Sequence, residues 1–154
     1  MWQRIQTVFL VIAIISLLAS VFMPIWTNKD ASGKTHVLYA LHYSVIENDE
    51  QSTTYFPYSL TAVFAIASVT VALIEIGKFK NRMLQMKLGA LNSLFLVATI
   101  GCALYFASQM IKMYQGGQYG LGMWLPGLAV LSNLLANRFI RKDEKLVRDS
   151  ERLR

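Results

Sequence analysis

Four long apolar blocks restrict what this chain can fold into more than any other feature. They run roughly from Ile5 to Trp26, Tyr58 to Gly77, Leu88 to Gln109 and Leu121 to Asn137. About 20 apolar residues at about 1.5 Å of rise each cross the roughly 30 Å hydrocarbon core of a bilayer. Inside lipid every backbone amide needs a partner within the protein, so runs of this kind are predicted to be helices. A length of 154 residues is one domain. A hydrophobic share of 55% and a mean hydropathy of +0.41 are too high for a soluble domain of that size. The first block is read as a retained span. Its apolar run, Val8 to Val21, is long for a cleaved signal core, and no Ala-x-Ala site follows. The single cysteine, Cys102, sits mid-helix in "IGCALYFAS", where it reads as a small packing residue and excludes an internal disulfide.

The net charge of +6 is distributed on one side of these blocks. "GKFKNRMLQMK", residues 77–87, carries Lys78, Lys80, Arg82 and Lys87 without an acid. The tail "RFIRKDEKLVRDSERLR" adds seven more basic residues, and Arg4 precedes the first block. Lys29, Lys34 and Lys112 are left for the other side. Short loops rich in Lys and Arg stay cytoplasmic, so both termini are predicted inside a bacterial inner membrane and residues 27–57 outside. The basic balance is thus an orientation signal, and no nucleic-acid partner is expected. The tail 138–154 has a narrow apolar stripe, with Glu144 and Arg148 spaced as an i, i+4 ion pair. Aromatic residues gather where the block ends should meet the two interfaces, with Trp26, Tyr55, Phe56, Tyr105 and Trp124 on the outer side.

The outer loop contains "HVLYALHYSV", residues 36–45, in which apolar and polar positions alternate. Val37, Tyr39, Leu41, Tyr43 and Val45 then share one face of a single strand. Turn signals flank it in "KDASGK" and "ENDEQS", and "IWTN" and "TTYFPY" can supply neighbours, which predicts a small antiparallel β-meander. His36 and His42 would lie about 20 Å apart along a straight strand, too far to share one ion. They are expected to be exposed strand residues, with no metal or cofactor site.

Inside the blocks, Glu75, Asn92, Asn133 and Asn137 fall at one depth once the helices are threaded antiparallel, close to the basic side. Amides at such positions hold helices together, whereas Glu75 is spaced to meet Lys78 at the interface. Ser16 and Ser20, and Gly89 and Ser93, provide the small-xxx-small spacing that lets helices approach closely. Pro126-Gly127 should kink or loosen the fourth block. No nucleophile elbow, HExxH, phosphate-binding loop or intramembrane haem-ligand histidine is present.

The entry into the first block, Gln3-Arg-Ile-Gln6, resembles that of an uncharacterised four-helix inner-membrane family of Bacteroidota. The long first outer loop and "KFKNRMLQMK" are similar too. The resemblance carries no activity. The layout is also claudin-like by analogy, without that family's Gly-Leu-Trp and paired-cysteine signature. The expected fold is an all-α membrane protein with four transmembrane helices and an outer β-meander. The expected role is a non-enzymatic structural or accessory component of the envelope, partnered by the bilayer and by another protein or a second copy. The alternative is a small transporter or channel built on the polar layer around Glu75.

Overall fold

The computed structural model of the chain describes residues 2–30, 32–47, 50–78 and 81–152, with side chains between Ile5 and Asp149. Four helices carry the fold: α1 (Trp2–Phe22), α2 (Leu60–Gly77), α3 (Arg82–Tyr114) and α4 (Leu121–Arg152). A small sheet is built from β1 (Trp26–Lys29), β2 (Thr35–Leu38), β3 (Tyr43–Glu47), β4 (Glu50–Thr54) and β5 (Gln118–Tyr119). Segments within α1, α2 and α3 are long and apolar enough to cross a membrane. The apolar part of α4 is shorter, and Pro126, Asn133 and Asn137 dilute it.

Buried positions on each helix recur at alternating steps of four and three. On α1 they are Gln6, Leu10, Ala13, Leu17 and Ser20; on α2, Thr61, Ala65, Ser68, Ala72 and Glu75. On α3 the run is Gln85, Gly89, Asn92, Leu96, Thr99 and Ala103, and on α4 Ala129, Asn133, Ala136 and Ile140. A repeat of 3.5 residues keeps one seam facing its neighbours, the geometry of left-handed knobs-into-holes packing. The contacts close a ring: α1 on α2, α2 on α3, α3 on α4 and α4 back on α1. The seam residues are mostly small, so the backbones come close. The large apolar side chains point outward instead, among them Ile15, Val63, Leu94, Val97, Leu131 and Leu134.

The helix ends depart from the apolar blocks for local reasons. The first block does not run to Trp26, because Pro24 cannot continue a helix and α1 stops at Phe22. A turn over 56–59 delays α2 to Leu60. Helix α3 takes in much of the basic loop, since the Asn81 side chain caps it by accepting from the Leu84 amide at 3.0 Å. Its 33 residues span about 50 Å, well beyond a hydrocarbon core. The tail is no separate element: α4 runs through Pro126 and on to Arg152 as one helix. Phe139 stacks on Phe9 of α1 with centroids 5.6 Å apart, and Ile140 is buried. Glu144 and Arg148 do not pair. The contact formed there is Arg82 of α3 to Asp143, at 3.2 Å.

The sheet order is β4-β3-β2-β1-β5, antiparallel wherever strands pair. The stretch 36–45 is not one strand. The chain reverses between Leu38 and Tyr43, which pair with each other, and the Tyr39 amide donates to the His42 carbonyl at 2.8 Å. Alternation continued across a turn is indistinguishable in sequence from alternation along a strand. As a result Tyr43 and Val45 join Trp26 and Leu38 on the face that covers the helix ends. Tyr39 and Leu41 lie in the turn, and Leu41 is exposed. Val37 is buried opposite Ser44, on the reverse face. The fifth strand comes from the loop between α3 and α4 and ties the second loop to the first.

Backbone bonds seat the sheet on the helices. The Ile25 carbonyl accepts from Gly120 at 2.9 Å, the Pro24 carbonyl from Gly122 at 2.9 Å, and the Ala40 carbonyl from Ala62 at 3.1 Å. The last of these serves an orphan amide in the first turn of α2, where Ser59 offers no side-chain cap. At Gly117, φ is +106° and a Cβ would overlap the Trp26 indole. Gly117→Ala is therefore expected to lower stability in detergent by about 1–3 kcal/mol. Gly116→Ala, with open space around it, should leave the melting temperature unchanged. Equal melting of the two variants would refute the close-packed Trp26–Gly117 contact.

Candidate functional site

The seams of α2, α3 and α4 bring four polar side chains into one layer. The Ser68 hydroxyl donates to Asn92 Oδ1, and Asn92 Nδ2 donates to Asn133 Oδ1 at 3.0 Å. Asn133 Nδ2 donates to Ser93 Oγ at 2.9 Å and lies 3.4 Å from the Gly89 carbonyl. One layer nearer the chain termini, Asn137 Nδ2 reaches the same carbonyl at 3.2 Å, and Ser93 Oγ donates to it at 2.8 Å. Gly89 makes this convergence possible, because any Cβ there would collide with the Asn137 amide. Ser68, Asn92 and Asn133 are fully buried, so each bond replaces one that water cannot make.

Glu75 lies one heptad beyond Ser68 and is fully buried, with neither carboxylate oxygen hydrogen-bonded. The predicted contact with Lys78 does not form. Glu75 faces the seam, whereas Lys78 is exposed three residues on, past the end of α2. Gln85 Nε2 approaches from α3 but donates to the Glu75 backbone carbonyl, at 3.0 Å. Gln6 is the corresponding buried position on α1, and its Nε2 has no partner.

Of the paired small residues, Ser16 links two helices by donating to the Leu125 carbonyl at 3.1 Å. Ser20 bonds within its own helix, to the Leu17 carbonyl at 2.7 Å. Residues 2–153 match the model of a family described as a domain of unknown function, DUF4293. The chain belongs to this family. No curated protein matches it. The resemblance read from Gln3 to Gln6 and the basic loop thus leads to an uncharacterised family.

Sequence reading of this DUF4293 chain missed Ser68, Gln6 and Gln85 as members of the polar seam. For Ser68 and Gln85 the signal was the heptad step itself: Ser68 is seven residues before Glu75, and Gln85 seven before Asn92. It also placed the histidines wrongly. His36 is buried, because the hairpin turns it toward α3. Its ring stacks on Tyr114 with centroids 4.1 Å apart, and Nδ1 lies 2.6 Å from the Tyr43 hydroxyl. Tyr43 donates onward to the Tyr114 hydroxyl at 2.9 Å. With that donor committed, His36 donates from Nδ1, and the unpartnered Nε2 is a lone pair rather than a stranded N–H. His42 is half-buried in the turn, between Tyr39 and Tyr55. Among the described residues no three His, Cys, Asp or Glu side chains converge as metal ligands.

Burial, and then the bond to Tyr114, push the Tyr43 phenol above its ordinary range. A raised folded-state pKa means that the folded chain holds this proton more tightly than the unfolded chain. Its contribution is present below the ordinary phenol pKa of about 10 and is lost as pH rises beyond it. Denaturation followed by circular dichroism should show this alkaline loss, and Tyr43→Phe should flatten it. In the helices, Asn133→Leu strands the Asn92 amide and should cost about 2 kcal/mol, against about 1 kcal/mol for Ser68→Ala. Unfolding of both variants at wild-type denaturant concentration would show that the layer does not hold the helices.

Proposed function

We propose that the chain is a non-enzymatic inner-membrane protein of the bacterial envelope. It crosses the bilayer four times with both termini cytoplasmic, and acts as a structural or accessory component that binds a protein partner. The observation that carries this reading is the fate of the interior polar groups. The layer of Ser68, Asn92 and Asn133 is spent on helix-to-helix bonds. Beside it, Leu17, Ala65, Leu96 and Ala129 pack together in one apolar cluster, which interrupts any polar route along the seam. Such a core holds helices in register and offers no conduit.

The fourth span rests on α4. Leu121 to Asn137 rises about 25 Å, at the short end of what crosses a bilayer. Leu121, Trp124, Leu128, Leu131 and Leu134 all lie on its outer surface, where lipid solvates them and water would not. The orientation follows from the basic side of the chain, and exposed Tyr55, Phe56, Tyr105 and Trp124 suit the opposite interface. The sheet then stands outside the membrane as the surface available to an envelope partner.

The second reading, a transporter or channel, has one observation in its favour. An intramembrane carboxylate without a hydrogen bond is costly, and such groups often mark ion or proton pathways. The two readings part at Glu75→Gln, which leaves an accessory protein working in complementation and abolishes a proton-coupled carrier.

Topology is tested with single cysteines in a Cys102→Ser background. Lys34→Cys and Glu50→Cys should react with an impermeant thiol reagent in intact cells. Lys80→Cys and Arg148→Cys should react only after lysis. Labelling in the reverse pattern inverts the topology, and labelling of Arg148→Cys together with Lys34→Cys and Glu50→Cys in intact cells removes the fourth span. Purification in gentle detergent with identification of co-purifying proteins tests the partner: a stoichiometric companion supports the accessory role, and a chain that always purifies alone argues against it.

A further inference from the structure

A groove of about 380 Å³ runs down the outside of the helices between α3 and α4. Ala90 and Ser93 line it from α3, and Leu134, Asn137, Arg138 and Arg141 from α4. Leu134, Arg138 and Arg141 sit at steps of four and three, with Asn137 beside Arg138, so they form one stripe about 10 Å long. Its polarity changes in order along that length: an exposed leucine, then an amide, then two guanidinium groups. Gly89 lets α4 approach α3 closely beside the groove, and the Gly89 carbonyl is already taken by Ser93 and Asn137.

We propose that this groove is a site for an anionic phospholipid, with an acyl chain along Leu134 and Ala90 and the headgroup phosphate on Arg138 and Arg141. Charge and depth both select that occupant. Neither arginine has an ion pair among the described residues, whereas Arg82 close by is committed to Asp143. Both are exposed at the end of α4's apolar stretch, the depth at which a headgroup phosphate lies, with the exposed Leu134 beside them for an acyl chain that a free anion lacks. A guanidinium group donates two parallel N–H bonds to phosphate oxygens, and basic pockets between helices at the cytoplasmic boundary are suited to such headgroups. The site lies apart from the sheet and needs no residue of the buried polar layer except Asn137 and Ser93 at its floor.

The proposal rests on α4 spanning the membrane with its arginines at the cytoplasmic interface, and the test separates the two. The full-length protein is purified in detergent, and retention of added phosphatidylglycerol or phosphatidylcholine is measured by native mass spectrometry. The intact chain should retain phosphatidylglycerol preferentially. Arg138→Gln with Arg141→Gln should lower its retention roughly thirtyfold, since each basic group near a membrane surface contributes a factor of about five to the attraction. Lys145→Gln with Arg148→Gln, the same charge change farther along α4, should leave retention unchanged. Ala90→Phe fills the groove at an exposed position without altering charge and should also abolish retention while helix content stays constant. Equal retention of both lipids, or equal loss in the Lys145/Arg148 variant, overturns the site even where cysteine labelling upholds the fourth span. Labelling that removes the fourth span overturns the reading beneath it.

Discussion

The hydrogen bond between Asn92 and Asn133 is the contact on which the helix arrangement turns. Two amides buried among apolar seams must find each other, because neither lipid nor a neighbouring leucine can satisfy them. That requirement fixes the axial register of α3 on α4, and Ser68 extends it to α2. A slip by one helical turn would set Asn133 against Leu96 in one direction, or Asn92 against Ala129 in the other. Leucine and alanine seams alone tolerate such slips, since lipid tails are as apolar as the side chains and provide no hydrophobic force for any one register. Polar contacts therefore supply specificity here, although each is worth only about 1 kcal/mol.

Close approach depends on the same layer. Gly89 has no side chain, so the Asn137 amide occupies its place, and three donors can gather on one carbonyl. Toward the sheet, Gly120 and Gly122 have the same relation to the Pro24 and Met23 carbonyls, where a Cβ would overlap. The two ends of the α1–α4 contact are thus held by different means, stacked Phe9 and Phe139 near the termini and backbone bonds near the sheet. Between them Ser16 reaches the Leu125 carbonyl, beside the proline that deprives α4 of one helical bond.

The sheet is coupled to the helices by an aromatic cluster rather than by its strands alone. His36, Tyr43 and Tyr114 form a continuous hydrogen-bonded and stacked unit, with Tyr58 and Phe106 packed beside it. Tyr114 is the last residue of α3, so the unit joins β2 and β3 to a helix end. A five-stranded sheet of such short strands has little core of its own, and burial of Trp26, Leu38 and Tyr43 against the helices gives it one. Glu47, the last residue of β3, is exposed and apart from this cluster; it pairs with Lys34 at 2.8 Å and raises the pKa of its ammonium.

The sequence by itself determined the helices, the sheet's existence and the layer of amides. Long apolar runs leave a backbone no alternative in lipid, and polar residues inside them must meet at one depth. Asn92 and Asn133 meet as that requires, whereas Asn137 lies one layer nearer the chain termini, and Glu75 one heptad beyond Ser68 in the same direction. Tertiary structure decided which neighbour each polar group found. Glu75 and Lys78 are three residues apart, yet the seam claimed one and the end of α2 released the other. The stretch from His36 to Val45 alternates identically whether straight or folded back, and only packing on Tyr114 and Trp26 makes the hairpin the lower-energy choice. The basic tail was readable as a stretch with a narrow apolar stripe, and the Arg82–Asp143 and Phe9–Phe139 contacts hold it as the continuation of α4. Local chemistry sets which conformations a segment can adopt, and contacts distant in sequence select among those of similar energy.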